Sequence, residues 1–422
     1  MWHARGDLRR AWLLVAAAAV LPRTAILLYE RVSILTAFTE KSDDFARQFV
    51  HSGTFGFIPG EPSAWTQPLY AWFLIPIYWI FGRAWWSVGF AQIAVAAATA
   101  LLVYEIGRCF ISRRAGLIAA LVATLNPYLV WHDVHENREI LDQLLAAAIV
   151  LLTLLLVRRG NLWLGAALGL VLGLAILSNT RLLFLPLVVA VFVWNWRIAA
   201  AVLAVCALTL VPWATRNAVN VGCFTLTTDT RALWKANNAN TYSTLAAGKW
   251  IDDVPRIPGA PYTPEEAKTL YFRDHKLVHV NECAQMRYYR HLVFEFWRDR
   301  PGEKAKLAGQ AVRMLWDPRA IKTQGREGQD GAIDKARTWV QPLYEIPLYV
   351  LAVIGIAVLP RRVALLVLLM LGYQTLAAVG FAGVTRYRVP WDFTLALSAA
   401  AALVYLWPRV AAVRRPAGWP VP

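Results

Sequence analysis

Charge is what this chain has least of: only 17% of its 422 residues are Asp, Glu, Lys or Arg, against roughly 25% in an ordinary soluble domain. That shortfall, with 58% hydrophobic residues, excludes a soluble globular domain with a normally solvated surface. Acidic residues are the scarcer sign, 27 against 43 basic, for a formal net charge of +16. Cysteine is scarce too, and four of them do not make a disulfide-dense scaffold. No Gly-rich loop of the Walker or dinucleotide type occurs, which argues against direct use of a cytoplasmic nucleotide cofactor. There is no internal repeat and no low-complexity tract.

What the chain has instead is long apolar runs. A hydrocarbon core of roughly 30 Å takes about 20 helical residues to cross, and runs near that length recur at about 12–29, 85–107, 115–131, 139–157, 162–178, 181–196, 198–213, 340–359, 363–381 and 391–408. The expected fold class is therefore an all-α integral membrane protein, a polytopic bundle of about ten transmembrane helices with two long external loops. Residues 9–22 also read as a secretory signal, with Arg9 and Arg10 ahead of an apolar stretch, but no clear small-x-small cleavage site follows and a retained anchor is expected. Short cytoplasmic loops retain basic residues, and six segments qualify. They carry Arg5, Arg9 and Arg10; Arg108, Arg113 and Arg114; Arg158 and Arg159; Arg197; Arg361 and Arg362; and Arg409, Arg414 and Arg415. These fourteen arginines against Asp7 and Glu105 leave +12 of the formal +16 on one side. Both termini are then inside. Because these arginines sit in short turns and form no continuous groove, nucleic-acid binding is set aside.

The expected organisation is an N-terminal membrane region 1–213, with a first external loop at 30–84, an external loop with helical segments at 214–339, and C-terminal spans with a short tail at 340–422. Loops of this length on a rigid scaffold are where function tends to sit. In the first, Pro68 to Phe81 is too short to span and is expected to lie at the interface, where Trp72, Tyr78 and Trp79 suit that depth. In the second, Thr263 to Arg300 reads as helical after a capping Thr263, Pro301-Gly302 marks a break, and Glu303 to Trp316 continues as a basic amphipathic helix. Cys223 and Cys283 share this loop in what should be an oxidising compartment; spacing leaves a disulfide and two separate thiols equally open.

The chemistry-bearing residues gather on the external side. Asp43 and Asp44 follow the first span, where a carboxylate could deprotonate an acceptor hydroxyl or cap a helix from Phe45 onward. His132 and His135, with Asp133, Glu136 and Glu139, are residue types that ligate metals, but this group contains no His-x-x-x-His spacing and no Cys-x-x-Cys pattern accompanies it. No metal ligand is assigned, no cofactor is certain, and a divalent metal is left open.

The order of short motifs adds to this. SDDFARQFVHSGTFGF and AWTQPLYAWFLIPIYWIFG in the first loop, Asn126-Pro127-Tyr128, HDVHENREILDQLL from His132, Asn179-Thr180-Arg181, VPWATRN, ALWKANNAN and RYRVP follow one another. In this order they resemble the GT-C glycosyltransferases that use polyprenyl-phosphate sugars, specifically the glycosyltransferase family 39 branch of protein O-mannosyltransferases and aminoarabinose transferases. The chain departs from larger relatives in stopping soon after its last span.

The resemblance implies transfer of a sugar, with inversion, from a polyprenyl-phosphate donor to a lipid, glycan or protein hydroxyl at the external face of the plasma (inner) membrane. It implies a first-loop acid as base, Asp44 being preferred over Asp43, and a second acid at the start of the fourth span, Glu139, with Asp133 and Asp142 as rivals. The departing lipid phosphate calls for cations, and Arg138, Arg181, Arg216, Arg386 and Arg388 are the candidates. A transporter or flippase of lipid-linked sugars would instead bind at the midplane, on broken helices of repeated halves. A non-catalytic subunit of envelope-glycan assembly would keep the fold and tolerate loss of Asp44.

Overall fold

The computed structural model describes residues 2–36, 40–319 and 332–413, with side chains over 8–36, 40–319 and 339–407. The side chains of Arg5 and Arg409, and all of Arg414 and Arg415, lie outside the described residues. The described chain is helical, with no strand among the described residues. Its first half comprises α1 (Trp2–Glu30), α2 (Lys41–Ser52), α3 (Pro68–Phe81), α4 (Trp85–Phe110), α5 (Arg113–Thr124), α6 (Pro127–His132), α7 (Glu139–Arg159), α8 (Leu162–Ser178), α9 (Leu185–Val193) and α10 (Trp196–Asn220). The second comprises α11 (Thr230–Lys235), α12 (Thr241–Ala246), α13 (Pro264–Asp274), α14 (Glu282–Asp299), α15 (Pro301–Trp316), α16 (Ala332–Val358), α17 (Arg361–Gly380), α18 (Thr385–Arg388) and α19 (Phe393–Val413).

This is a multi-pass helical membrane protein. Among the described residues six helices are long and apolar enough to span, within α1, α4, α7, α10, α16 and α17, and a seventh is obtained if Thr385–Trp391 and Phe393–Trp407, bent by 54°, count as one. That number is smaller than the ten apolar runs because several runs are not one long helix. The run 115–131 breaks between α5 and α6 at Asn126-Pro127, where the proline ring disfavours helix at the preceding residue and the Asn126 side chain accepts from Tyr128 N to start a new one. The run 181–196 opens with a 3-10 turn and stops at Trp194, whose φ of 53° is left-handed. Helix α8 has only 17 residues.

The core lies between the spans and is built largely of Ala, Val and Leu. Close contact needs small residues there, since helices in lipid gain little from hydrophobicity itself. Gly355 of α16 faces Ser398 O of α19, and Gly107 of α4 faces Gly116 of α5, each too near for a Cβ. The lipid side carries exposed Leu21, Leu187, Val191, Leu208 and Leu376. Trp163, Trp194 and Trp196 stand exposed beside Arg158, Arg159 and Arg197, the aromatic-and-basic combination of a membrane–water boundary.

The two long loops pack on each other. Thr228 N donates to Ala64 O at 2.9 Å, Lys41 pairs with Asp229 at 2.8 Å, and Lys268 with Asp44 at 2.7 Å. Cys223 and Cys283 form a disulfide, tying the segment after α10 to the start of α14. The helical stretch expected over Thr263 to Arg300 is two helices, α13 and α14. Its capping Thr263 accepts from Glu266 N, and Pro301 is the first residue of α15.

Candidate active site

The site is assembled where α6 turns into α7. Asn137 pins this turn: its amide donates to His132 O at 2.7 Å and His135 O at 2.8 Å, and its Oδ1 accepts from Ile140 N at 3.0 Å, launching α7. Gln92 of α4 holds the turn from behind, donating to Asp133 O and His135 O, and Tyr70 of α3 donates to Gln92. The result is that Glu136, Arg138 and Glu139 are presented together, with Glu139 only 1% exposed at the first position of α7.

Three guanidiniums converge on this point. Arg386 of α18 lies 3.1 Å from Glu139 Oε1 and 3.3 Å from Glu40 Oε1, so it bridges the start of α7 to the residue before α2. Arg138 Nε is 3.9 Å from Glu139, and its Nη1 donates to Gln67 Oε1 at 2.8 Å; Gln67 in turn donates to Thr180 Oγ1. Next to Thr180, the Arg181 guanidinium stacks 3.4 Å over the Tyr387 ring, which Arg386 also approaches at 5.3 Å. No carboxylate lies within 4.0 Å of Arg181 among the described residues. Both Glu139 oxygens, with Nε of Arg138 and of Arg386, are buried without a properly directed hydrogen bond. Three cations meet the carboxylates of Glu40 and Glu139, Asp142 nearby being engaged by Ser178 and Asn179, and the Nε groups of Arg138 and Arg386 still to be engaged make a site able to take an anion. Arginine's planar fork suits phosphate oxygens.

A second tract runs beside it. Asp43 is 2% exposed and takes Arg83 Nε at 2.8 Å, Arg83 Nη2 at 2.9 Å and Tyr78 Oη at 2.7 Å. Tyr78 Oη is also 2.8 Å from Glu136 Oε1. One phenol has one hydrogen, so two contacts to carboxyl oxygens need a second proton. Glu136 is where it sits: burial, and then the neighbouring Asp43 charge, push its pKa up to about 8. Both causes favour the protonated form of Glu136, while Asp43 stays beside the fixed positive charge of Arg83.

This carries a sign. A carboxyl raised from 4.5 to about 8 on folding stabilises the fold fully below its unfolded value and loses that contribution as pH rises through the folded one. The melting temperature in detergent should therefore fall between about pH 4.5 and 8, and Glu136→Gln, already neutral, should flatten that part of the curve. Parallel curves for the two proteins would show that Glu136 is not the proton carrier.

The remaining expected residues lie elsewhere. Helix α2 begins at Lys41 and not at Phe45, so Asp43 and Asp44 sit inside its first turn and neither caps it. Asp44 turns away from Asp43 to Lys268. Asp133 is fully buried against Arg23 at 2.7 Å, with Gln143 on its other oxygen. Asp142 accepts from Ser178 and Asn179. Arg216 donates to Ser63 O and Phe55 O while lying over Trp213, so it holds the first loop's backbone. Arg388 is enclosed between Glu345 and Asp392. Thus Arg138, Arg181, Arg386 and Glu139 are brought together, and Asp133, Arg216 and Arg388 are not brought to them. Glu40, Arg83, Tyr78 and Tyr387 were not singled out from sequence for this site. Arg83 was the most legible of them, as a charge directly after an interface helix. No group of three His, Cys, Asp or Glu side chains set to hold a metal ion occurs among the described residues.

Fold and site together define a polytopic helical membrane protein with a buried arginine–carboxylate centre under two packed loops. Residues 62–216 match the family described as dolichyl-phosphate-mannose-protein mannosyltransferase, in agreement with the resemblance carried by the motifs. The chain is also similar to the oligosaccharyltransferase of Archaeoglobus fulgidus tethered with an acceptor peptide containing the NVT sequon, at 14% identity and TM-score 0.55 over 96% of this chain and 50% of that one. The oligosaccharyltransferase AglB from Archaeoglobus fulgidus, in complex with an inhibitory peptide and a dolichol-phosphate, gives 13% identity and TM-score 0.54 over 97% and 52%. ArnT from Cupriavidus metallidurans bound to undecaprenyl phosphate gives 16% identity and TM-score 0.44 over 97% and 81%. No curated protein matches the chain. The chain spans about half the length of the oligosaccharyltransferase structures, and at these identities the likeness is one of fold.

Proposed function

We propose that the protein is a membrane glycosyltransferase that moves a sugar from a polyprenyl-phosphate donor to the hydroxyl of a lipid, glycan or protein acceptor. The observation that carries this reading is the convergence of Arg138, Arg181 and Arg386 on one buried point, with Arg181 bound to no carboxylate among the described residues. A lipid phosphate leaving the anomeric carbon gains most from cations already fixed where its charge develops. The acceptor oxygen bonds to that carbon on the face opposite the phosphate, the carbon–oxygen bond to phosphate breaks, and configuration inverts. The proton of the acceptor hydroxyl goes to a first-loop carboxylate, for which Asp43 replaces the expected Asp44: it is turned inward and held beside Arg83, whereas Asp44 is bound to Lys268 on the flank. The matched family and the dolichol-phosphate named with the similar AglB structure favour this donor class. Arginine placement favours both termini inside and the site facing the periplasm or exterior, and the family resemblance favours the plasma membrane.

The test is transfer of radiolabelled sugar from a panel of synthetic polyprenyl-phosphate sugars, with affinity for undecaprenyl phosphate measured in parallel. Arg181→Ala strands no acid, so it should leave folding intact and weaken lipid-phosphate binding by roughly 10- to 100-fold, the scale of a lost hydrogen bond to a charged group. Wild-type affinity in that variant, or no transfer from any donor of the panel, counts against the assignment.

A further inference from the structure

Asp142 has the credentials of a second catalytic acid: it lies in the first turn of α7, near the arginine cluster, and is only 4% exposed. Its contacts say otherwise. Oδ1 accepts from Ser178 Oγ at 2.6 Å and Oδ2 from Asn179 Nδ2 at 3.0 Å, so each oxygen is already engaged by the end of α8.

The consequence falls on Asn179. An amide has a donor end and an acceptor end, and a carboxylate on one side fixes which faces where. With Nδ2 drawn to Asp142, Oδ1 must face the other way, and there it lies 3.3 Å from both N and Nε of Arg181. The Arg181 guanidinium is then laid flat on Tyr387 at 3.4 Å. Its backbone is fixed from the opposite side, where Tyr373 of α17 donates to Arg181 O at 2.7 Å and accepts from Phe184 N at 3.2 Å. The Arg181 side chain is thus held at Nε by Asn179, across its face by Tyr387 and at its backbone by Tyr373.

We infer that Asp142 is a positioning residue: acting through Asn179, it aims Arg181 at the phosphate subsite, and it takes no proton from substrate. This rests on the lipid-phosphate reading above. An arginine with no carboxylate of its own is free to swing among rotamers, and order in a long side chain is entropically costly. The Asp142–Asn179 pair meets that cost before the ligand arrives, which is how a site gains affinity without adding a contact.

The experiment is a double-mutant cycle read by undecaprenyl phosphate binding in detergent, with melting temperatures alongside. Asp142→Ala and Asn179→Ala should each weaken binding by about tenfold in the wild-type background and have no further effect in the Arg181→Ala background. Asn179→Ala keeps the buried acid bonded to Ser178 and serves where Asp142→Ala folds poorly. Equal losses in both backgrounds, or unaltered binding in the single variants while Arg181→Ala binds weakly, overturn the positioning role and leave the donor reading standing. Unaltered binding in Arg181→Ala itself removes the donor reading and this inference with it.

Discussion

Asp43→Asn should lower transfer turnover by something like 100- to 10,000-fold, the usual scale for loss of a general base, while affinity for the lipid phosphate stays within a few-fold of wild type. The substitution keeps the shape of a side chain that is 2% exposed and can still accept from Tyr78 at the position now 2.7 Å away. What it loses is the capacity to take a proton, and with it the charge that Arg83 neutralises through two contacts below 3 Å. Asp44→Asn is the control. Its carboxylate is 23% exposed and joined to Lys268, and such partly solvated pairs are worth about 0–1 kcal/mol, so turnover should barely move. Steady-state turnover of both variants beside undecaprenyl phosphate affinity decides the matter. A large loss confined to Asp44→Asn restores the first preference drawn from the sequence. Full activity of a variant lacking both acids removes the first-loop base altogether, without touching the arginine site.

The two acids show how far the sequence could be read. Their position after the first span was legible, and so was the presence of a helix, but its start was placed four residues late. From Phe45 onward the pair is a cap; from Lys41 onward successive residues point about 100° apart, and one acid turns inward while its neighbour turns out. The same geometry separates Arg386 from Arg388. Two positions apart in a helical turn they face nearly opposite ways, so one reaches Glu139 and the other Glu345. Residue type and loop membership gave the set of cations; only the three-dimensional packing tells which are consumed by protein carboxylates. Glu40 and Arg83 had no motif to mark them, and Tyr387 lay inside RYRVP between the two arginines. The all-α membrane class was readable from hydropathy, which does not register breaks such as the one at Asn126-Pro127.

Arg388→Ala should unfold the protein more readily and leave its chemistry almost intact. The guanidinium is 1% exposed, donates to Glu345 Oε1 at 2.9 Å and Asp392 Oδ1 at 3.0 Å, and adds Leu315 O at 3.0 Å. It therefore ties α16, α19 and the end of α15 at one buried point, with Asn126 and Gln341 completing the shell around Glu345. Removing it leaves two buried carboxylates without their cation, and breaking a buried pair from one side costs about 3–5 kcal/mol. Most of that cost is the stranded charge and not the lost attraction. It follows that Glu345→Gln with Asp392→Asn, placed on top of Arg388→Ala, should recover much of the stability, although each of these changes alone is destabilising. Melting temperatures of the single and triple variants in detergent, with transfer activity per folded molecule, provide the measurement. An unchanged melting temperature coupled to weakened lipid-phosphate binding would return Arg388 to the donor site. A fall in melting temperature relieved by neutralising the two acids would fix it as the buried counter-charge that ties Glu345 and Asp392 to the end of α15.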